Sequence, residues 1–155
     1  MATIRVAELG DHAHLRHFSC HPPPFRPWTK RVQQIIRGSL CDALTNPERS
    51  VEAFVAVEVP RNIVGVTAIE PARDEPEVWA VHVLGVSEEF RGRGLGRQLF
   101  DTALTRCGEG GASSVVIEVH RSNAKAIRFF GHFNVTWGPL PDMEYQQGSI
   151  VLAKG

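Results

Sequence analysis

The chain has 155 residues, of which 43% are hydrophobic and 22% charged. This length and composition are typical of one globular domain, so we predict a single domain over residues 1–155. Seventeen basic and seventeen acidic side chains give a formal net charge of zero, which argues against a general affinity for nucleic acid or an anionic membrane.

The N-terminal residues and the cysteines indicate a cytoplasmic protein. No apolar run reaches the roughly 18 residues needed to span a bilayer, and the first residues lack the basic and apolar regions of a signal peptide. Cys20, Cys41 and Cys107 are odd in number and far apart, so we expect three reduced thiols. The histidines within 12–17 have no carboxylate or cysteine at matching spacing, so we expect no metal site.

The first third of the chain combines short regular elements with a proline-rich segment. We predict a strand over 3–7 and a helix from Asp11, its N-cap, to about Phe18. The prolines of segment 21–28 fix φ and remove N–H donors, so this segment is irregular. Two helices follow, one from about 29 to 36 and a short one near 40–44.

The middle of the chain predicts a meander of three strands. Segments 50–58 and 62–70 are rich in β-branched residues and flank a turn at Pro60-Arg-Asn62, which is typical of an antiparallel hairpin. A polar loop over 71–76 leads to a third strand over 77–86.

A glycine-rich turn follows the third strand. Three glycines alternate with other residues at 92, 94 and 96, and three arginines lie at 91, 93 and 97. Glycine allows positive φ and close backbone approach, and the N–H groups at the start of a helix favour an anion. Arginine binds two phosphate oxygens at once. The turn therefore predicts a phosphate site, with a pyrophosphate as the expected ligand.

The last third of the chain completes an α/β pattern. Leu95, Leu99, Ala103 and Leu104 form one apolar helix face that ends at glycines 108–111. A strand over 114–119 follows, so the crossover predicts a parallel strand pair. A helix over 123–130 is capped by Asn123 or Ser122, and the tail supplies one or two closing strands. One mixed sheet accounts for all of these elements.

These residues resemble the GNAT superfamily of N-acetyltransferases. Arg91-Gly-Arg-Gly-Leu-Gly96 is similar to its acetyl-CoA signature, Gln/Arg-x-x-Gly-x-Gly/Ala. Leu84-Gly-Val86 looks like its central strand, and Glu118 to Asn123 with Ala126 looks like the next strand and helix. The resemblance covers roughly 50–135. It implies a mixed α/β sheet with helices on both faces and a splayed parallel strand pair near 79–86 and 114–120.

The resemblance also implies acetyl-CoA as co-substrate. The backbone of Leu84 to Val86 is expected to pair with the pantetheine arm, and the amides from Arg91 to Arg97 to hold the pyrophosphate. Asn123 is expected to contact the arm from the other side. The implied cofactor-binding residues are Leu84, Gly85, Val86, Arg91, Gly92, Arg93, Gly94, Leu95, Gly96, Arg97, Asn123 and Phe130.

The implied reaction is direct attack of a primary amine, on a small molecule or a protein, within a ternary complex. The Val86 backbone N–H is the expected oxyanion donor. His82 is the candidate base, since its reference pKa is near neutral and we expect it on the same strand face as Leu84 and Val86. A core histidine hydrogen-bonded across the sheet is the alternative. Weaker candidates for the base are Glu70, Glu77 and His120.

The chain departs from the family pattern at Phe130, where relatives commonly have a tyrosine that protonates the departing thiolate. Tyr145, the only tyrosine, lies in a loop-like stretch. Water could act instead, or the chain could be a non-catalytic acyl-CoA-binding module. Asn134-Val135 replaces a Gly-Phe pair of relatives, and asparagine tolerates the left-handed conformation that this position needs.

Several questions stay open at the level of sequence. A dinucleotide-binding oxidoreductase is disfavoured because the glycine spacing is Gly-x-Gly-x-Gly. Acetylation of an aminoacyl-tRNA would need a basic surface, and a homodimer is left open. The acceptor is expected against segments 21–28, 71–76 and 138–148. Phe25, Trp28 and Trp137 line an aromatic pocket in one interpretation and belong to the core in the other.

Overall fold

The computed structural model describes residues 2–18, 26–46, 48, 50–59, 62–138 and 144–152. The strands are β1 Thr3–Val6, β2 Glu52–Glu58, β3 Asn62–Pro71, β4 Val78–Val86, β5 Ser114–His120, β6 Thr136–Trp137 and β7 Tyr145–Val151. The helices are α1 His12–His17, α2 Thr29–Gln34, α3 Cys41–Thr45, α4 Leu95–Glu109 and α5 Ala124–Gly131. Within the described ranges, no helix is long and apolar enough to cross a membrane.

The seven strands within the described residues form one mixed sheet in the order β1-β2-β3-β4-β5-β7-β6. β2 and β3 are the predicted antiparallel hairpin, although residues 60 and 61 of its turn lie outside the described part of the chain. β4 and β5 are parallel, as the crossover through α4 predicts. The mixed α/β sheet expected from the sequence is therefore confirmed. The C-terminal strands β7 and β6 lie next to β5 at one edge of the sheet.

Helices cover both faces of the sheet, as expected. On one face, Leu99 and Phe100 of α4 and Phe130 of α5 join a buried cluster with sheet residues. On the other face, Leu15 and Ile36 belong to a second cluster. Because apolar side chains of the central strands point to both faces, the sheet is held between two cores.

The prediction of two separate helices over 29–36 and 40–44 is wrong. A six-residue stretch with π-helical hydrogen bonding, Ile35–Leu40, joins α2 directly to α3. Gly38 disfavours a helix, but Ile36 and Leu40 on either side of it are fully buried. Burial of these side chains therefore overrides the local preference, and the segment stays helical through the glycine.

Residues at the helix ends mostly follow the predicted signals. α4 ends before Gly110, and Gly111 has a φ of 95°. Asn123 caps α5, since its Oδ1 accepts the Ala126 N–H at 3.2 Å. Asn134 takes the left-handed conformation expected of it, with a φ of 58°.

Asp11 precedes α1 as predicted, but its side chain makes no capping bond to that helix. Its two oxygens instead accept hydrogen bonds from Arg5 of β1, at 2.8 and 2.9 Å. One of them also accepts the Glu8 N–H at 2.8 Å. The carboxylate thus joins the first strand to the start of the first helix.

Candidate active site

β4 and β5 separate part of the way along the sheet. They pair from Val78 opposite Ser114 to Val81 opposite Ile117. Beyond that point β4 stays with β3 on one side, and β5 stays with β7 on the other. The splayed strand pair expected from the sequence is therefore present, and a gap opens between the two strand edges.

The backbone of β4 presents polar groups to this gap. The Ser87 N–H donates to the Val64 carbonyl at 2.8 Å, on the β3 side. Bonding groups alternate along an antiparallel ladder, so the N–H and C=O groups of Leu84 and Val86 point the other way, towards the gap. The Arg91 Nε donates to the Val86 carbonyl at 3.1 Å, which agrees with this direction. This strand edge can therefore accept an extended ligand.

The glycine turn leads into the N-terminus of α4 beside this edge. Gly92 and Gly94 have φ values of 76° and 81°, and Gly94 is the N-cap of the helix. The Gln98 N–H is the first intrahelical donor, and it reaches the Gly94 carbonyl at 3.0 Å. The N–H groups of residues 95–97 precede it, so they point out of the helix end, where an anion is favoured.

A groove of about 720 Å³ runs along the turn, the β4 edge and the start of α5. Eleven of the twelve predicted cofactor-binding residues line it: Leu84, Gly85, Val86, Arg91, Gly92, Gly94, Leu95, Gly96, Arg97, Asn123 and Phe130. Arg93 is not among the lining residues, and its guanidinium lies 4.9 Å from the centre of the Phe90 ring. Arg26 and Lys125 also line the groove, and no sequence motif marked them.

A second cavity of about 390 Å³ adjoins the groove where β4 and β5 separate, and we call it the acceptor pocket. The two cavities share Trp28, Leu84, Asn123, Ala126 and Phe130. The polar lining residues of the acceptor pocket are Arg31, His82, Glu118, His120, Asn123, Tyr145 and Gln147. A long groove therefore meets a compact polar pocket at the strand gap.

His82 lies at a β-bulge. Ala68 is opposite Val83 and Ile69 is opposite Val81, so His82 is an extra residue in β4. A bulge interrupts the alternation of side chains and re-aims the residue within it.

The interruption changes which side chains share a face. Trp79 and Val81 precede the bulge, and Leu84 and Val86 follow it. All four side chains contact the same hydrophobic cluster. The regular alternation from which we expected His82 to share a strand face with Leu84 and Val86 is therefore interrupted at His82 itself.

A carboxylate fixes the orientation of the His82 ring. Its Nε2 lies 3.1 Å from Oε1 of Glu70 on β3, and the side chain is 38% exposed. Because a carboxylate accepts hydrogen bonds, Nε2 carries the hydrogen in the neutral ring and Nδ1 is the unprotonated nitrogen. His82 is thus bonded across the sheet, as in the alternative interpretation, but it is not a core residue.

The weaker candidates are less suited to act as a base. His120 is buried, and its Nδ1 accepts the Ser122 N–H at 3.1 Å, so its lone pair is occupied. Its ring lies between those of Trp28 and Tyr145, with centroids 5.6 and 5.1 Å away. Glu77 precedes β4 at the end where the strands pair, away from the gap.

Phe130 and Tyr145 both lie beside the acceptor pocket. Phe130 is buried edge-on against Phe100, with ring centroids 5.1 Å apart. Tyr145 is the first residue of β7, opposite His120, and it is buried. The loop-like assignment of Tyr145 is therefore wrong. The residues that follow it, Gln146-Gln-Gly-Ser149, lack the alternation of polar and apolar side chains that indicates a strand, yet they pair with β5.

Glu118 and Arg31 meet in the acceptor pocket. The Arg31 Nη2 of α2 donates to Oε2 of Glu118 on β5, and its Cζ lies 4.0 Å from the centre of the Tyr145 ring. Neither residue belongs to a motif that indicates a function. The available signal was Glu118 itself, a carboxylate within the otherwise apolar run Val115-Val-Ile-Glu-Val119.

Of the three aromatic candidates, Trp28 lines both cavities. Trp137 packs against the hydrophobic cluster under α4 and α5 and is absent from both linings. Phe25 lies outside the described residues. In the ranges that the structure covers, no group of three or more His, Cys, Asp or Glu side chains is placed to hold a metal ion.

Comparisons with known proteins agree with this geometry. The model of the acetyltransferase (GNAT) family matches residues 11–134. A mycothiol acetyltransferase of Corynebacterium aurimucosum is 39% identical over 59 residues, which is 38% of this chain and 19% of that protein. N-acetyltransferase 8F1 of Rattus norvegicus is 27% identical over 108 residues, 68% of this chain and 49% of that protein. The chain thus spans half or less of these curated relatives.

Solved structures share the whole fold. The PaiA N-acetyltransferase of Thermoplasma acidophilum, solved in complex with coenzyme A, superimposes with a TM-score of 0.80. The match covers 98% of this chain and 99% of that one, at 12% sequence identity.

Proposed function

The chain belongs to the GNAT family of acetyltransferases, and on this premise we propose that it transfers an acetyl group from acetyl-CoA to a primary amine of a small molecule or a protein. The observation that carries the proposal is the meeting of the basic groove and the polar acceptor pocket at the gap between β4 and β5. Such an arrangement holds two substrates side by side, so a direct transfer needs no covalent enzyme intermediate.

In this proposal the groove binds acetyl-CoA. The N–H groups at the start of α4, with Arg91 and Arg97, hold the pyrophosphate. The edge of β4 at Leu84 pairs with the amide groups of the pantetheine arm, which leaves the Val86 N–H for the thioester. Asn123 retains its side-chain N–H donors for the arm, because its Oδ1 caps α5.

The reaction requires a base and an oxyanion donor. An ammonium substrate first loses one proton to water, because only the neutral nitrogen is a nucleophile. The neutral amine nitrogen then attacks the thioester carbonyl carbon, so the C–N bond forms, the C–S bond breaks, and a second proton leaves the nitrogen. His82 accepts this proton at Nδ1, and Glu70 stabilises the imidazolium through Nε2. The Val86 N–H, directed into the gap, stabilises the developing negative charge on the carbonyl oxygen.

The thiolate of CoA also needs a proton. Phe130 cannot provide it, and Tyr145 is a hydroxyl-bearing residue on the wall of the acceptor pocket. We assign this proton to Tyr145, with water as the alternative. A Tyr145→Phe variant separates the two, since it retains the ring and removes only the hydroxyl.

Two measurements test the proposed function. Calorimetry determines acetyl-CoA affinity, and a thiol assay determines CoA release with a panel of primary amines. We expect binding, release with at least one amine, and a fall in kcat of about a hundredfold or more in His82→Ala, the size typical of a lost general base.

His17→Ala is the matched control, because His17 is an exposed histidine of α1 outside both cavities. Its kcat should equal that of the unaltered chain. Tight acetyl-CoA binding without thiol release for any amine would instead identify a non-catalytic acyl-CoA-binding module.

A further inference from the structure

The acceptor pocket already contains a cation of the protein's own. Arg31 reaches in from α2, donates to the Glu118 carboxylate of β5 and covers the face of the Tyr145 ring, with its Cζ 4.0 Å from the centroid. A carboxylate beside an aromatic face is a favourable site for an organic cation. Glu118 and Tyr145 lie on neighbouring antiparallel strands, two residues apart in register, so the sheet fixes their spacing.

We propose that Arg31 is a placeholder for the acceptor, and that the pocket selects alkyl ammonium groups without a nearby carboxylate. This inference rests on the proposed function, because it concerns the acceptor of that reaction. The incoming ammonium displaces the guanidinium from Glu118 and Tyr145. Arg31 is then a specificity-determining residue that competes with the substrate.

Exchange at this position is easy because the ion pair is half-exposed. The side chains of Arg31 and Glu118 are 44% and 47% exposed. Ion pairs that water reaches contribute little to stability, so a substrate cation of similar chemistry can replace one partner. The long, flexible side chain of Arg31 is already partly in solvent, so it can turn outwards when a second cation binds.

The charges of the two cavities favour a cationic acceptor. The groove that we propose for acetyl-CoA is lined by the cations Arg26, Arg91, Arg97 and Lys125 and by one carboxylate, Glu88. It is therefore basic, which suits a phosphate-bearing ligand. The acceptor pocket contains Glu118, and Glu70 lies behind His82. Once Arg31 moves out, the fixed charges at the pocket are these carboxylates, which attract an ammonium group and repel a carboxylate.

The opposite role for Arg31 predicts the opposite results. If Arg31 stayed in place and bound an acceptor carboxylate, its removal would weaken acceptor binding. Acceptors with a carboxylate near the amine would then bind better than simple amines. One set of variants therefore decides between a placeholder and an anchor.

The test is calorimetric binding of amines to the full chain saturated with CoA. Butylamine and 4-aminobutanoate are the paired probes, since they share the alkyl ammonium group and only the second has a carboxylate. Arg31→Gln is compared with Lys30→Gln, a neighbouring exposed residue of α2 that lines neither cavity. A tetrapeptide amide with a free N-terminus distinguishes a protein amine from a small-molecule amine.

We expect Arg31→Gln to bind butylamine roughly three- to tenfold more tightly than the unaltered chain, the range set by one exposed ion pair and one cation–π contact. Lys30→Gln should bind butylamine with the affinity of the unaltered chain, and Glu118→Gln should bind it more weakly. In every variant, 4-aminobutanoate should bind more weakly than butylamine. Equal or weaker butylamine binding by Arg31→Gln would overturn the proposal, as would tighter binding of 4-aminobutanoate by the unaltered chain.

The same titrations separate this inference from the proposed function. Affinity for CoA is measured before the amine is added, and thiol release is measured in parallel. If the amine affinities follow the expected order but no thiol is released, the placeholder role is supported and only the proposal of acetyl transfer is contradicted. Thiol release with amine affinity unaffected by Arg31 would support acetyl transfer and overturn the placeholder role.

Discussion

Two glycines of the groove are required because of their backbone conformation, and neighbouring atoms do not crowd them. A Cβ atom on Gly92 or Gly94 would meet no heavy atom within 4 Å, yet both residues have positive φ. At Gly96, by contrast, a Cβ would lie 3.7 Å from the Phe129 ring, in ordinary contact, and no positive φ is needed. The first two glycines thus set the path of the turn, and the open space beside them is where the pyrophosphate is expected.

Replacing Gly94 by valine should reduce acetyl-CoA affinity by at least tenfold. A β-branched residue is strained at a φ of 81°, and its side chain projects into the space over the helix end. Calorimetric titration with acetyl-CoA measures the effect. Gly111→Val is the matched control, because Gly111 also has positive φ and open space but lies at the other end of α4.

Both variants should lose similar stability, about 1–2 kcal/mol for a residue forced into the left-handed region. Only Gly94→Val should lose acetyl-CoA affinity. Unchanged affinity in Gly94→Val would show that the turn does not bind the pyrophosphate.

The elements themselves show what local sequence signals can predict. Strand alternation, capping asparagines and glycine stops act over a few residues, so the bounds of β2 to β5 and of α4 agree closely with the patterns. The continuity of α2 with α3 depends on burial of Ile36 and Leu40 against the sheet, which local patterns do not encode. The bulge at His82 is likewise a property of the β3 and β4 pair, visible only once the two strands are in register.

The packed faces of two helices should protect two cysteines from modification. Cys41 in α3 and Cys107 in α4 are thiols buried in the two hydrophobic clusters on either side of the sheet. Burial raises the pKa of the Cys107 thiol to about 12, so almost no thiolate forms at pH 8. In a Cys20→Ser variant, we expect both thiols to react with a thiol reagent only after denaturation. Rapid labelling of either thiol in the native protein would show that its helix opens readily.

At the scale of the whole molecule, the site is assembled from distant parts of the chain. The glycine turn is recognisable from the local spacing of its glycines and arginines, so most of the groove along it is predictable from residues 84–97 alone. The acceptor pocket is not, because Arg31 and Glu118 are 87 positions apart and meet only through the fold. Trp28 and Tyr145 join them from either end of the chain. A pattern that acts over a few residues has no means of indicating such contacts.

The link between β1 and α1 predicts how the stability of the whole chain depends on pH. Hydrogen bonds from Arg5 hold the pKa of the buried Asp11 carboxyl below its ordinary value, with burial acting in the opposite sense. In the unfolded chain that pKa returns to roughly 3.9. The stabilisation is therefore complete above this value and is lost as pH falls through the lower pKa of the folded state.

Replacing Asp11 by asparagine should lower the free energy of unfolding at pH 7 by about 1–3 kcal/mol, the cost of losing charged hydrogen bonds at a buried site. The difference from the unaltered chain should shrink as the pH falls below roughly 4, because the aspartate there loses its own advantage on protonation. Urea unfolding at a series of pH values measures both effects. Asp101→Asn, at an exposed position of α4, should change neither. A stability difference that stays constant down to the lowest pH would mean that the contribution of Asp11 does not depend on its charge.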